Sequence, residues 1–400
     1  MDYQMNLRKI GVMIHRCRIN KRNTSTDHAF TQDGFLISSR RHPFFDLAPG
    51  FPVCSRGTLI RLEQGKTIHE EELYRFFLHK LGKTYQYSPT RERLYEASFI
   101  SITQQVCEDS LHTLDTFDWP PNCPNNLLYD FYDRLLKALH AFYTLAEFPD
   151  IEILQEIIEL WICVPIRIRA ITMFFVLTAQ SAHPFYDSLD ITPVLVSIPK
   201  HPMEYLTLAM VAASKEHFVL FAKLMARYTQ YPCLGELARY MHAQVTFFTN
   251  RILGKSGYKQ GGLDRHPTHP LMALVRDAMI FQLGKHAIDQ HDLPSVRAYF
   301  GLLEESTEPY RVFAKWIINK SYSGPMPRNP KLGCLVIYLN EYRTATPQHK
   351  LDYLMKQVLP YLSRHEAFLV RFMRLEIFEL VQRTQRYKPL YDYCTYLEKL

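Results

Sequence analysis

The sequence contains no apolar run long enough to cross a membrane. Its longest largely apolar stretch, Ala170 to Ala179, falls far short of the ~20 residues a bilayer requires. Arg8, Lys9, Arg16 and Arg18 interrupt every apolar run near the N-terminus, which excludes the apolar core of a secretory signal. No C-x-x-C pair occurs among the eight cysteines, which stand at positions 17, 54, 107, 123, 163, 233, 334 and 394. Such scatter fits neither a disulfide framework nor a zinc site. The expectation is a soluble, cytoplasmic protein with reduced, mostly buried thiols, no membrane partner and no cofactor.

Catalytic frames are missing too. His69-Glu70-Glu71-Glu72-Leu73 begins like a zinc-protease helix, but Leu73 stands where the second His is required. Gly254-Lys255-Ser256 echoes the end of a phosphate loop, yet the first glycine of that loop is replaced by Thr249. His266, His269, His286 and His291 have no Cys or carboxylate frame around them and read as surface histidines rather than metal ligands. No nucleophile, base and orienting group stand out together, so the chain is not expected to be an enzyme. Strand-length alternation does not stand out either, which points to an all-α fold.

What is present is a large apolar share, 47 %, with 22 % charged residues. That composition supports a sizeable core and excludes global disorder. The charge is unevenly placed. Residues 1–90 hold 14 Lys/Arg against 8 Asp/Glu, whereas residues 91–400 hold 33 against 32. A local cationic excess is what a polyanion-binding module needs, because each neutralised phosphate releases counterions.

Within that basic region the spacing predicts four helices. Leu7 to Ile19 places Leu7, Ile10, Ile14 and Cys17 on one face, and Asn23, Thr24 and Ser25 supply turn chemistry. A short second helix starts at Ser25–Thr26 or at Thr31–Gln32; both readings are open. Gly34 to Pro52 carries Pro43, Pro49, Gly50 and Pro52 and reads as an ordered loop or short hairpin. In Val53-Cys-Ser-Arg-Gly-Thr-Leu-Ile-Arg-Leu-Glu-Gln-Gly-Lys66, Ser55 is an N-cap, Leu59 and Leu62 share a face, and Gly65 ends the helix. A fourth helix over Ile68 to Leu81 buries Ile68, Leu73, Phe76, Phe77 and Leu81.

The segment Ile10 to Leu81 resembles the helix-turn-helix of the Xre/Cro-like repressor family. The resemblance is carried by Ile10-Gly11 through Arg18, by the Ser55-to-Lys66 string and by the Glu-rich helix with Leu73, Phe77 and Leu81. It implies a DNA-binding domain over 1–88, with residues 34–52 inserted where the family has a short turn. Recognition helices read base edges from their N-terminal residues in the major groove. Here those residues are Ser55, Arg56, Gly57 and Thr58. Arg56 has the geometry for guanine O6 and N7, Thr58 offers a hydroxyl and a methyl, and Gly57 lets the backbone come close. Arg61, Lys66, Arg16 and Arg18 are expected at phosphates, Gln32 at the second helix, and Glu63 in an internal ion pair.

From residue 91 onward the pattern is helical almost throughout, including helices over 91–117, 126–147, 151–164, 234–253, 269–285, 347–362, 365–386 and 388–398. Short breaks such as Pro120-Pro121-Asn122 and Ser323-Gly-Pro325 separate them. Antiparallel pairs of roughly 34–40 residues stacked in series fit this spacing, giving a TPR-like α-solenoid over 91–400. A basic helix-turn-helix followed by such an array is similar to the Rgg-like peptide-pheromone-sensing regulators of Gram-positive bacteria. That likeness implies quorum sensing, a transcriptional role, a homodimer, double-stranded DNA as partner and a short signalling peptide held by the helical array. Asn250, Asn319 and Asn340 are the candidates for clamping an effector's backbone. The dimer interface is expected between Pro347 and Leu400, with Phe368, Phe372, Phe378 and Tyr391. A helical scaffold that binds no DNA is the alternative.

Overall fold

A computed structural model describes residues 3–24, 28–37, 49–85, 88–109, 111, 114, 117–123, 125–182, 189–254, 267, 269–290, 292–306, 310–318, 321–327, 330–362 and 373–398. The described chain is all-helical. It contains isolated bridges at Ile37–Pro52 and Thr84–Asn126, and no strand among the described residues. No described helix is long and apolar enough to cross a membrane.

The chain forms two compact units. The first is Met1–Met173 with Asp190–Ile198, and the second is Phe174–Leu189 with Pro199–Leu400. The unit that holds residues 1–88 therefore also holds the helices out to residue 173.

The first unit begins with α1 (Tyr3–Thr24), α2 (Gln32–Leu36), α3 (Arg56–Glu63) and α4 (Glu71–Leu81). It continues with α5 (Pro89–Cys107), α6 (Leu127–Leu145), α7 (Ile151–Glu159), the first half of α8 (Ile166–Ala182) and α9 (Thr192–Leu195). Helix α1 runs on to Thr24, past the expected turn at Asn23. At the later of the two starts open for the second helix stands α2, with the Thr31 side chain accepting from Gly34 N as the N-cap; within the earlier, His28–Phe30 forms a single 3-10 turn and residues 25–27 lie outside the described residues. Ser55 caps α3 by accepting from Thr58 N, and Gly65 follows at φ +71°. Gly82, at φ +65°, closes α4. Helix α5 stops at Cys107, with Glu108 as its C-cap, and does not reach 117.

The four N-terminal helices share one core. Ile10, Met13 and Ile14 of α1 are buried with Phe35 and Leu36 of α2, Leu59 and Leu62 of α3, and Leu73, Phe76, Phe77 and Leu81 of α4. Phe35 stacks on Phe77 with ring centroids 4.9 Å apart. At α1 a glycine is required by approach: a Cβ on Gly11 would lie 2.1 Å from the Leu62 carbonyl oxygen. Arg8 Nε donates to Gly65 O at 3.0 Å and completes the clasp between α1 and the end of α3.

The second unit holds α10 (Pro202–Ser214), α11 (Phe218–Tyr228), α12 (Glu236–Ile252), α13 (Pro270–Asp289), α14 (Leu293–Gly301), α15 (Tyr310–Ile317) and α16 (Pro330–Ile337). Further helices are α17 (Pro347–Tyr353), Leu359–Leu362, Arg374–Thr384 and Lys388–Glu398. Two π-helical segments, Tyr338–Tyr342 and Leu354–Val358, extend α16 and α17. A 3.6-residue periodicity does not foresee such segments, since each adds one residue to a turn.

Candidate nucleic-acid interface

Helix α3 buries Leu59, Leu62 and Glu63 and leaves Ser55, Arg56, Gly57, Arg61, Gln64 and Lys66 exposed. Its inner face is fixed by the α1 clasp, and its outer face is the basic one. Gly34 to Leu36, expected in the loop, belong to α2, and the remaining 37–52 segment does not hold α2 and α3 apart. Ile37 and Pro52 bridge across its base, and Val53 N donates to Leu36 O at 3.0 Å. The two helix starts meet as a result: Arg56 Nε donates to Gln32 Oε1 at 2.7 Å. That bond uses one donor of Arg56 and leaves both Nη groups for a planar acceptor pair. The Thr58 hydroxyl lies 3.0 Å from Ser55 Oγ, so the two hydroxyls share one hydrogen bond at the cap. Arg61 and Lys66 have no side-chain partner among the described residues.

Two expected phosphate contacts lie elsewhere. Arg18 is 1 % exposed. Its guanidinium donates to Glu63 through Nε at 2.6 Å and Nη2 at 2.9 Å, and to Phe30 O through Nη1 at 3.1 Å. Arg18 is thus the partner of the internal ion pair expected for Glu63, and it cannot reach a phosphate. Arg16 is engaged as well, with Nη1 2.9 Å from Glu159 Oε2 on α7. Position and charge in the sequence placed both arginines on the basic face. The 100° step per residue instead turns Arg18 inward, onto the side of α1 that carries Ile14 and Gly11.

Glu63 is the electrostatic centre of this region. Burial alone would raise its pKa. The His15 imidazole, whose Nδ1 lies 3.0 Å from Oε2, and the hydrogen-bonded Arg18 guanidinium reverse that effect and hold the carboxyl below its ordinary value. Burial pushes the Cys17 and Cys54 thiols up to about 11 and that of Cys163 to about 12. These groups are thiols at neutral pH and poor nucleophiles.

Several contributors to this arrangement have no signal in the sequence reading. Lys80 on α4 donates to Gly34 O at 2.6 Å and also to Ile37 O, which ties the end of α2. Lys21 donates to Leu81 O at 2.7 Å. Gln64, exposed two turns along the outer face from Arg56, is a further polar group beside Arg61.

Asn340 does clamp a backbone, but it is that of Tyr322: Nδ2 donates to Tyr322 O at 2.9 Å, and Tyr322 N donates to Oδ1 at 3.1 Å. Its amide is occupied within the fold and is withdrawn as an effector contact. Asn250 is half-buried on α12, and Asn319 lies outside the described residues. His269, read as a surface histidine, is 5 % exposed and caps α13 through Nδ1, which accepts from Leu271 N at 3.2 Å. His286 pairs with Glu216 at 2.8 Å, while His266 and His291 lie outside the described residues. Of the expected dimer residues, Tyr391 is 74 % exposed and Phe378 is half-buried, with the Arg374 guanidinium 5.7 Å from its ring. Phe368 and Phe372 lie outside the described residues.

Neither a known protein family, nor a curated protein, nor a solved structure matches this chain.

Proposed function

We propose that this chain is a sequence-specific DNA-binding transcriptional regulator. In this reading α2 and α3 form a helix-turn-helix, and the helical array beyond it is TPR-like, binds an effector and dimerises. The observation that carries the proposal is the bond between Arg56 and Gln32. It sets the starts of two helices side by side, with the Arg56 fork, Gly57 and Arg61 outward. Arg56 would read a guanine, and Arg61 and Lys66 would take flanking phosphates. The Xre/Cro-like resemblance and the cationic excess of residues 1–90 support the same reading.

A second reading is favoured by the burial of Arg18 and the pairing of Arg16 with Glu159. Two of the four expected phosphate contacts serve the fold itself. A helical scaffold without DNA binding is consistent with that loss.

Mutation separates the readings. Arg56→Ala is expected to lose about 1–3 kcal/mol of binding and to relax base choice at one position, whereas Lys66→Ala weakens all duplexes alike and lowers the salt slope by about one. Gel-shift titrations on selected and random duplexes at two salt concentrations measure both effects. Identical behaviour of the two variants on both duplexes would overturn the assignment of α3.

A further inference from the structure

The second unit carries a cleft of about 230 Å³ lined from the end of α12, the second half of α13 and the start of α14. Its chemistry is set by two opposite charges and an apolar wall. Arg251 Nε donates to the hydroxyl of the buried Tyr299 at 3.0 Å, which fixes the guanidinium and leaves its Nη groups as donors. Asp292 caps α14, with Oδ1 accepting from Ser295 N at 3.2 Å, and the residue is exposed, so its carboxylate remains open to a further donor. The hydrogen bonds with Ser295 and the Arg251 charge hold the Asp292 carboxyl below its ordinary value, so it is ionised at neutral pH. Ile252, Leu283 and Ala287 supply the apolar lining. His286 also lines the cleft, but its Nδ1 lies 2.8 Å from Glu216 Oε1, so that ring nitrogen is engaged outside the proposed contacts.

These features narrow the ligand. The cleft is smaller than the roughly 300–1,000 Å³ of sites for drug-sized molecules. A dianion such as phosphate would meet the Asp292 carboxylate, and a purely apolar molecule would leave both charges unanswered. We propose that the cleft binds a small zwitterion with an apolar side chain: a free α-amino acid or a dipeptide of such residues. The ligand carboxylate takes the Nη donors of Arg251, a charge-assisted geometry suited to guanidinium. The ligand ammonium donates to Asp292, and the side chain lies against Ile252, Leu283 and Ala287. Binding here is independent of the DNA reading above, and its test contains no DNA.

The test is calorimetry on the full chain with L-leucine, L-leucyl-L-leucine, N-acetyl-L-leucine and L-leucinamide. The acetyl compound lacks the ammonium and the amide lacks the carboxylate. The expected result is binding of at least one zwitterion, with each blocked compound weaker by about tenfold or more, equivalent to about 1.4 kcal/mol. Whether leucine or the dipeptide binds identifies which form the site takes. Arg251→Gln and Asp292→Asn are each expected to weaken binding about tenfold. Asn caps a helix as well as Asp does, so the second variant keeps α14 intact. Failure of both zwitterions to bind below about 10 mM, equal binding of the blocked compounds, or unchanged binding in Asp292→Asn would overturn the proposal.

Discussion

The buried pair of Arg18 and Glu63 ties the first helix to the third at the level of single atoms. Removing one partner of a buried pair strands the other charge, at a cost of about 3–5 kcal/mol. Arg18→Met is therefore expected to lower the melting temperature sharply, and Glu63→Leu to do the same. Joining the two substitutions should recover much of the loss, because neither charge is then stranded. Thermal denaturation of the two single variants and the double variant measures this; an additive double variant would mean the pair is not coupled. The pair also sets an acid limit. The folded pKa of Glu63 is depressed, so its contribution is complete above the unfolded value of about 4.3 and is lost as pH falls through the lower folded value. Wild type should lose stability over that window more steeply than Glu63→Gln, read from melts between pH 6 and 3. At Gly11 the reason is steric: a methyl there would strike the Leu62 carbonyl oxygen. Gly11→Ala should cost about 1–3 kcal/mol by forcing α1 and α3 apart.

At the scale of elements, the insertion after α2 is the feature whose consequence could not be read from the sequence. Residues 34–52 looked long enough to separate two helices that must sit close together. The Ile37–Pro52 bridge cancels that length by returning the chain to its starting point. Replacing residues 38–51 with Asn-Gly, a two-residue hairpin turn, is expected to leave the far-ultraviolet circular dichroism and any duplex affinity unchanged; loss of both would show that the excursion itself builds the interface. Ser55, Gly65, Leu59 and Leu62 were legible because caps and apolar spacing act within one helix. Arg18, Lys80 and Asn340 were not legible. Their roles depend on carbonyls or carboxylates 12 to 46 residues away in the chain, and no local pattern records such partners. The π-helical stretches escaped for a related reason, since packing against neighbouring elements decides where a turn takes an extra residue.

At the scale of the whole molecule, the proposed regulator should be a homodimer. One recognition helix reads too few base pairs for specificity, and two half-sites about one helical turn apart multiply it. The exposed Tyr391 keeps the C-terminal helices as the proposed contact. Light scattering at micromolar concentration should give twice the 47.1 kDa chain mass; a monomer unchanged by DNA would remove the dimer from the account. The claim on which the rest depends is duplex recognition by α3. Selection of bound sequences from a random duplex pool at moderate salt tests it most directly, run in parallel with wild type and Arg56→Ala. Wild type should enrich a motif with a fixed guanine, and the variant should lose that position while keeping the rest. A pool that stays random after repeated rounds with the wild-type chain would contradict the account.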